Sequence, residues 1–215
     1  MSGIWQSNWM WAAGAVLGLY SVRIAFKTWR LRSLRSTIPS RFCIVVTGST
    51  HGLGLALIRS FLSLSKGNVR VVLNGRTEAD LNAAVEMLRN EFSGLVRKDE
   101  LCISSFCGDV SHPDDMEALA KFAVSRMGAI THWINNAGIS QAERLRLHAT
   151  PVDEITAVVS TNLIGTLFGT RAALNAMLSQ PMWTHIFNME GTGSRQNPTP
   201  QSIAYGASKA ALPQV

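Results

Sequence analysis

The segment Thr47-Gly48-Ser49-Thr50-His51-Gly52-Leu53-Gly54 constrains this chain more than any other. It follows Phe42–Val46 (FCIVV), a short β-branched run that reads as a buried strand. It opens into Leu53, Leu55, Leu57, Ile58, Phe61 and Leu62, a spacing that reads as a helix packed on a sheet. A strand, a glycine-rich turn and a helix in that order aim free N–H groups and a partial positive charge at one point. Gly48 permits the tight turn, Gly52 lets a pyrophosphate approach the backbone, and Gly54 lets the helix close on the strand. The expectation is a dinucleotide site lined by residues 48–54. His51 is either a phosphate ligand there or an ordinary turn residue.

The next strand, Val69–Leu73 (VRVVL), ends in Asn74-Gly75-Arg76. Sites that hold NAD place an acid about 20 residues past the glycines. Asn74 stands at that distance here, and Arg76 follows it. A guanidinium binds a 2′-phosphate that a carboxylate would repel. The reading is therefore NADPH/NADP+, with Arg76 on the 2′-phosphate. A solvated turn residue is the plain alternative. Thr77 reads as a helix N-cap, with Glu78 and Asp80 in the first turn.

The alternation continues. Leu101–Phe106 reads as a strand, and Ser111 as the cap of a helix over 112–127. Thr131–Asn135 reads as a strand, Pro151–Ser179 as one long helical region, Trp183–Asn188 as a strand, and the chain from Ser202 as a helix. Strands alternating with helices predict an α/β fold: a doubly wound parallel sheet of the Rossmann type over 41–215.

Charge separates the N-terminus from the rest. Residues before Glu78 hold ten Lys/Arg and no acid; the remainder holds ten basic and 14 acidic residues. The overall +6 therefore reflects the N-terminal third, and no zinc-finger or helix-turn-helix pattern accompanies it. Nucleic acid is not an expected partner. A helix over 4–22 carries no charge and measures about 28 Å, near the ~30 Å hydrocarbon core of a bilayer. Trp5, Trp9 and Trp11 lie at one end, and Arg23, Lys27, Arg30, Arg32 and Arg35 follow the other. Residues 1–40 thus read as a membrane anchor or a targeting segment with a basic linker, or as a buried apolar helix. Cys43, Cys102 and Cys107 are too few for a disulfide framework and read as small buried hydrophobes. The five histidines show no metal-ligand spacing, and no metal is expected.

Tyr205-Gly206-Ala207-Ser208-Lys209 puts Tyr and Lys one helical turn apart on one face. A phenol is a weak acid at neutral pH, and a neighbouring ammonium favours its ionised form. Such a pair exchanges a proton with a carbonyl more readily than a phenol alone. The same spacing also occurs in plain amphipathic helices.

Together these pieces resemble the short-chain dehydrogenase/reductase family over residues 41–215. They are TGSTHGLG at 47–54, Asp109 after the third strand, NNAG at 135–138, Asn162 in STNLIGT and YGASK at 205–209. The resemblance implies that Tyr205 donates a proton to a substrate carbonyl. Lys209 would activate it and hold the nicotinamide ribose, and Asn162 would position a water in a relay to Lys209. Asn135, Ala137 and Gly138 would line the cofactor trough, and Asp109 would bind adenine. For the catalytic Ser of the family there are two candidates. Thr192 stands 13 residues before Tyr205, and Ser194 stands 11 before it. Glu190 beside them has no role in this pattern.

A narrower likeness favours Ser194. HIFNMEGTGS at 185–194, with Pro198-Thr199-Pro200, resembles chlorophyll(ide) b reductases, in which an Asp takes the place of Glu190. That likeness implies NADPH-dependent reduction of the 7-formyl group of chlorophyll(ide) b, at the thylakoid membrane of the chloroplast. The alternatives are a reductase of a lipid, steroid or retinoid carbonyl at another membrane such as the endoplasmic reticulum, or an inactive cofactor-binding module. Relatives of this kind associate through the helices that hold Asn162 and Tyr205, so a homo- or hetero-oligomer is expected. The chain is read as C-terminally truncated relative to the family, which leaves the strand at 183–188 as a sheet edge.

Overall fold

The computed structural model describes residues 41–65, 68–94 and 102–215. The anchor or targeting segment expected over 1–40 lies outside the described residues. Ser40–Gln180 and Thr184–Val215 form one compact unit. Among the described residues its strands are β1 (Phe42–Val46), β2 (Val69–Gly75), β3 (Cys102–Cys107), β4 (His132–Asn135) and β5 (His185–Asn188). The helices are α1 (Gly52–Ser65), α2 (Glu78–Glu91), α3 (Pro113–Met127), α4 (Val152–Val159), α5 (Gly165–Met177) and α6 (Ile203–Ala210). All described strand pairs are parallel, in the order β3-β2-β1-β4-β5.

The alternation along each strand assigns its two faces. Ile44, Val46, Val71, Leu73 and Ile134 pack against α1 and α2 through Leu55, Ile58, Leu62, Leu81 and Leu88. Cys43, Val45, Val72 and Trp133 face the other way, onto α3 and α5 through Met116, Leu119, Ala123, Ala172 and Met177. Helices on both faces explain why β1 reads as an unbroken apolar run rather than an alternating one. The strand order reverses at β1, between β2 and β4. A crevice therefore opens beyond the C-terminal ends of the strands at that point, which is where sheets of this kind bind ligands.

Three local readings need correction. Ser111 does not cap α3; its N–H and hydroxyl both donate to Asp109 Oδ1, at 2.8 and 2.7 Å. The N-cap is His112, with Pro113 at the first helical turn, and Asp115 Oδ2 reaches back to accept from the Asp109 N–H at 2.8 Å. The helical region over 151–179 is not one regular helix: the wider π-turn Ser160–Ile164 separates α4 from α5. β5 begins at His185, two residues later than the apolar run suggests. It lies at the edge of the described sheet, with Phe187 half-exposed. Thr77 does cap α2, its side chain accepting from the Asp80 N–H at 3.4 Å. Among the described residues no helix is long and apolar enough to cross a membrane.

Candidate active site

A cavity of about 530 Å³ occupies the crevice. Its floor is the turn between β1 and α1. Gly48 has φ +59, and a Cβ there would lie 2.8 Å from the Ala137 Cα, so only glycine fits between the turn and β4. Gly52 has φ +56 with open space beside it, which leaves its backbone accessible from the cavity. At Gly54 a Cβ would meet Gly48 O at 2.5 Å, so α1 starts in direct contact with the turn. The first turn of α1 carries no acid. Its free N–H groups and partial positive charge therefore meet the cavity unopposed.

The expected cofactor residues divide into those that line the cavity and those that shape it. Gly48, Thr50, His51, Gly52, Leu53 and Gly54 line it. So do Arg76, Asp109, Ala137 and Gly138. Ser49 is buried instead: its hydroxyl donates to Val46 O at 2.8 Å and accepts from the Asn74 N–H at 3.1 Å, tying the turn to β2. Asn135 is also buried. It accepts from Trp133 Nε1 at 2.7 Å and donates to Asn188 Oδ1 at 2.8 Å and Thr170 Oγ1 at 3.0 Å, joining β4, β5 and α5. The neighbouring Asn136 lines the cavity and was not singled out in the sequence. Its side-chain amide donates to Thr47 O at 2.9 Å and Gly48 O at 3.0 Å. The doubled asparagine of NNAG was the available signal.

Arg76 is exposed at the end of β2, with Asp109 across from it at the end of β3. Burial pushes the Asp109 carboxyl up, but the two Ser111 hydrogen bonds and the nearby Arg76 and His112 outweigh it, and the pKa lies below the ordinary value. Asp109 therefore stabilises its own turn and also lines the cavity wall. The Thr50 hydroxyl and His51 Nδ1 are 2.9 Å apart.

The opposite end of the cavity holds Tyr205 and Lys209 on α6. Lys209 is 5% exposed, and its ammonium donates to Met189 O at 2.7 Å. Burial lowers its pKa from the usual lysine range. The ammonium lies 6.0 Å from the centroid of the Tyr205 ring. Asn162 sits fully buried in the π-turn. It accepts from the Ile139 N–H at 2.8 Å and donates to Ile139 O at 2.9 Å and Ser208 Oγ at 3.1 Å. Ser208 in turn donates to Tyr205 O at 2.7 Å. The Asn162 side chain thus clamps the loop after β4 onto α6. A Cβ on Gly138 would sit 3.2 Å from Asn162 Oδ1 and 3.7 Å from Lys209 Nζ, so both groups crowd that glycine.

Neither hydroxyl candidate lines the cavity. Thr192 is exposed and Ser194 half-buried, in a turn closed by the Ser194 N–H donating to Gly191 O at 3.1 Å. The residue against the Tyr205 hydroxyl is Gly191, where an added Cβ would overlap that oxygen. The loop length defeated residue counting here: the backbone reaches Tyr205 one residue earlier than Thr192. Glu190 and Met189 line the cavity beside it.

These features define a doubly wound α/β domain whose glycine-rich turn and α6 face one cavity. The sequence matches the short chain dehydrogenase family over residues 43–215, and the chain belongs to that family. It is 40% identical over 181 residues to the probable chlorophyll(ide) b reductase NYC1, chloroplastic, of Arabidopsis thaliana, covering 80% of this chain and 36% of that protein. It is 36% identical over 175 residues to the chlorophyll(ide) b reductase NOL, chloroplastic, of Oryza sativa subsp. japonica, covering 81% and 48% respectively. The chain thus spans between about a third and a half of the length of these relatives. Among solved structures it resembles a metagenomic short-chain oxidoreductase in complex with NADP, at TM-score 0.67 and 29% identity, covering 82% of this chain and 74% of that one.

Proposed function

We propose that this chain is an NADPH-dependent carbonyl reductase that converts the 7-formyl group of chlorophyll(ide) b to a hydroxymethyl group. The observation that carries the reading is one continuous cavity with the glycine turn and Arg76 at one end and Tyr205 and Lys209 at the other. The names of the chloroplastic relatives support the substrate and a chloroplast location. The donor set fits a phosphorylated dinucleotide, since α1 presents N–H groups and no acid, and Arg76 supplies an exposed guanidinium. Gly52 leaves open space where a side chain would block close approach.

When bound, NADPH supplies the hydride that adds to the carbonyl carbon. Tyr205 gives its hydroxyl proton to the carbonyl oxygen, which completes the primary alcohol. The buried Lys209 ammonium, fixed by Met189 O, stabilises the phenolate left behind. Asn162 keeps the Ile139 loop and α6 in register through Ser208. Gly191 brings backbone rather than a side chain against the Tyr205 hydroxyl, which keeps room for a bulky ring system.

Residues 1–40 support membrane association through their uncharged stretch and basic flank. Self-association through α5 is supported by Ile164, Leu167, Leu174 and Leu178, which are exposed at helical spacing. The deciding experiment incubates the purified chain with NADPH and chlorophyllide b and resolves the pigments chromatographically. The expected result is the 7-hydroxymethyl product. NADPH binding without product overturns the reading and leaves a binding module.

A further inference from the structure

We propose that Glu190 is a substrate-recognition residue whose carboxylate ligates the central magnesium of a tetrapyrrole held at the carbonyl end of the cavity. This rests on the reading that the substrate is a formyl-bearing magnesium tetrapyrrole. Glu190 lines the cavity beside Tyr205 and Lys209. The backbone holds it firmly from both sides. The Met189 N–H donates to Asn135 O at 2.9 Å, and Met189 O accepts from Lys209 Nζ at 2.7 Å. Gly191, on its other side, abuts the Tyr205 hydroxyl and accepts from the Ser194 N–H at 3.1 Å.

The side chain itself is exposed, and among the described residues its carboxylate has no hydrogen-bond or ion-pair partner. The other acids on the cavity wall stand at the Arg76 end and are engaged. Asp80 accepts from the Thr77 hydroxyl at 2.5 Å, and Asp109 accepts from Ser111. Glu190 is thus the one acid of the cavity wall without a partner among the described residues.

An ionised carboxylate accepts hydrogen bonds and binds cations; it does not donate. It therefore gives no help to a carbonyl oxygen on its way to an alkoxide. Its partner must lie elsewhere on the substrate, as a donor or a cation. In a magnesium tetrapyrrole the four ring nitrogens are committed to the metal, so the ring offers no N–H. The metal keeps an axial position, and magnesium takes oxygen ligands. The formyl group sits on the periphery of the ring and the metal at its centre. An anchor for the metal must therefore stand near the Tyr205 hydroxyl without touching it. Gly191 touches the hydroxyl, and the Glu190 Cα is one residue, about 3.8 Å, further along the chain. Glu190 lines the cavity from that position.

The test compares chlorophyllide b with its magnesium-free counterpart, pheophorbide b, using the full chain and NADPH. The expected KM for the magnesium form is about tenfold lower, the change that ~1.4 kcal/mol makes. In Glu190→Ala the ratio of the two KM values falls to near one. Glu190→Asp, which keeps a carboxylate ligand for magnesium, retains the preference. NADPH binding followed by fluorescence reports whether each variant keeps its fold. Equal KM values in the unaltered chain, or a ratio that Glu190→Ala leaves in place, overturn the assignment while the reductase reading stands. Reduction of neither pigment overturns both.

Discussion

The two ends of the cavity are built by different means. The β1–β3 end is made mainly of backbone: two glycines at positive φ, the start of α1 and the mouths of three adjacent strands. The β4–β5 end is assembled from four separate stretches. Gly138 follows β4, Asn162 lies in the π-turn, Met189 and Glu190 follow β5, and Tyr205 and Lys209 ride on α6. A backbone site is written in a few consecutive residues. An assembled site exists only once strands, π-turn and loop have packed, so its details depend on tertiary contacts such as Asn162 on Ile139. The contrast predicts that one substitution at the assembled end stops chemistry while cofactor binding survives, and that damage at the backbone end does the reverse.

The largest effect should come from Tyr205→Phe. Removing a positioned proton donor lowers kcat by roughly 10²–10⁴-fold. The NADPH dissociation constant, read by fluorescence titration, should stay near that of the unaltered chain. Loss of NADPH binding in this variant would break the division between the two ends.

Gly191→Ala comes next and tests the loop. A methyl group there overlaps the Tyr205 hydroxyl, so either the loop or the ring must move. Small displacements at a reacting centre cost up to about 10²-fold, and a loss of kcat on that scale is expected. Thr192→Ala and Ser194→Ala should change kcat much less, because neither side chain lines the cavity. Steady-state kinetics on the three variants decide the matter. A large loss in Ser194→Ala alone would return the catalytic hydroxyl to the position favoured by the motif.

This loop also marks the limit of what the sequence discloses. The glycine turn, the alternation of strands and helices, the Thr77 cap and the Tyr205–Lys209 pair are all local patterns, and each appears in the structure, with the bounds of β5 and of the 151–179 helix shifted. Ser49 and Asn135 have the right residue types, but burial turns them into staples, and burial depends on neighbours far along the chain. The π-turn could not be read because it shifts the hydrophobic repeat of 151–179 by only one residue, within the scatter of so short a pattern. Ser111 lost the capping role because Asp109 offered both its N–H and its hydroxyl a charged acceptor. Thr192 and Ser194 could not be separated because a fourteen-residue loop, 189–202, has no fixed length to count against.

At the backbone end, Arg76→Ala should weaken NADPH binding by about tenfold, the scale of one charge-assisted pair, and leave NADH nearly unaffected. Isothermal titration with both cofactors gives the ratio. An equal loss for the two would place Arg76 as a solvated turn residue. The alkaline limb of the kcat profile belongs to the other end. Burial lowers the Lys209 pKa, so the ammonium that supports Tyr205 is lost at a lower pH than in an exposed lysine. Activity should therefore fall on the alkaline side before the ordinary lysine value of about 10.4 is reached.

The smallest effect lies away from the cavity, at the start of β4. His132 faces Phe42 and Phe187 and pairs across the strands with His185, ring centroids 5.3 Å apart. Its Nδ1 is 2.9 Å from the Thr131 hydroxyl. Burial, and secondarily the His185 charge, lowers its pKa from the ordinary value. The folded chain therefore holds this ring neutral while the unfolded chain protonates it near pH 6.5. Above that pH both states are neutral and His132 carries no penalty. As pH falls through 6.5 towards the folded value, the unfolded chain takes up the proton first and stability is lost. Asp109 acts in the same direction at lower pH: its stabilisation is full above about 3.9 and disappears as pH falls through its depressed folded value. His132→Phe removes the first loss and keeps the aromatic contacts. Between pH 7.5 and 5.5 the melting temperature of that variant should fall less than that of the unaltered chain. An identical fall in both would mean that the acid sensitivity of this range arises elsewhere, and that the β4–β5 edge tolerates a charged imidazole.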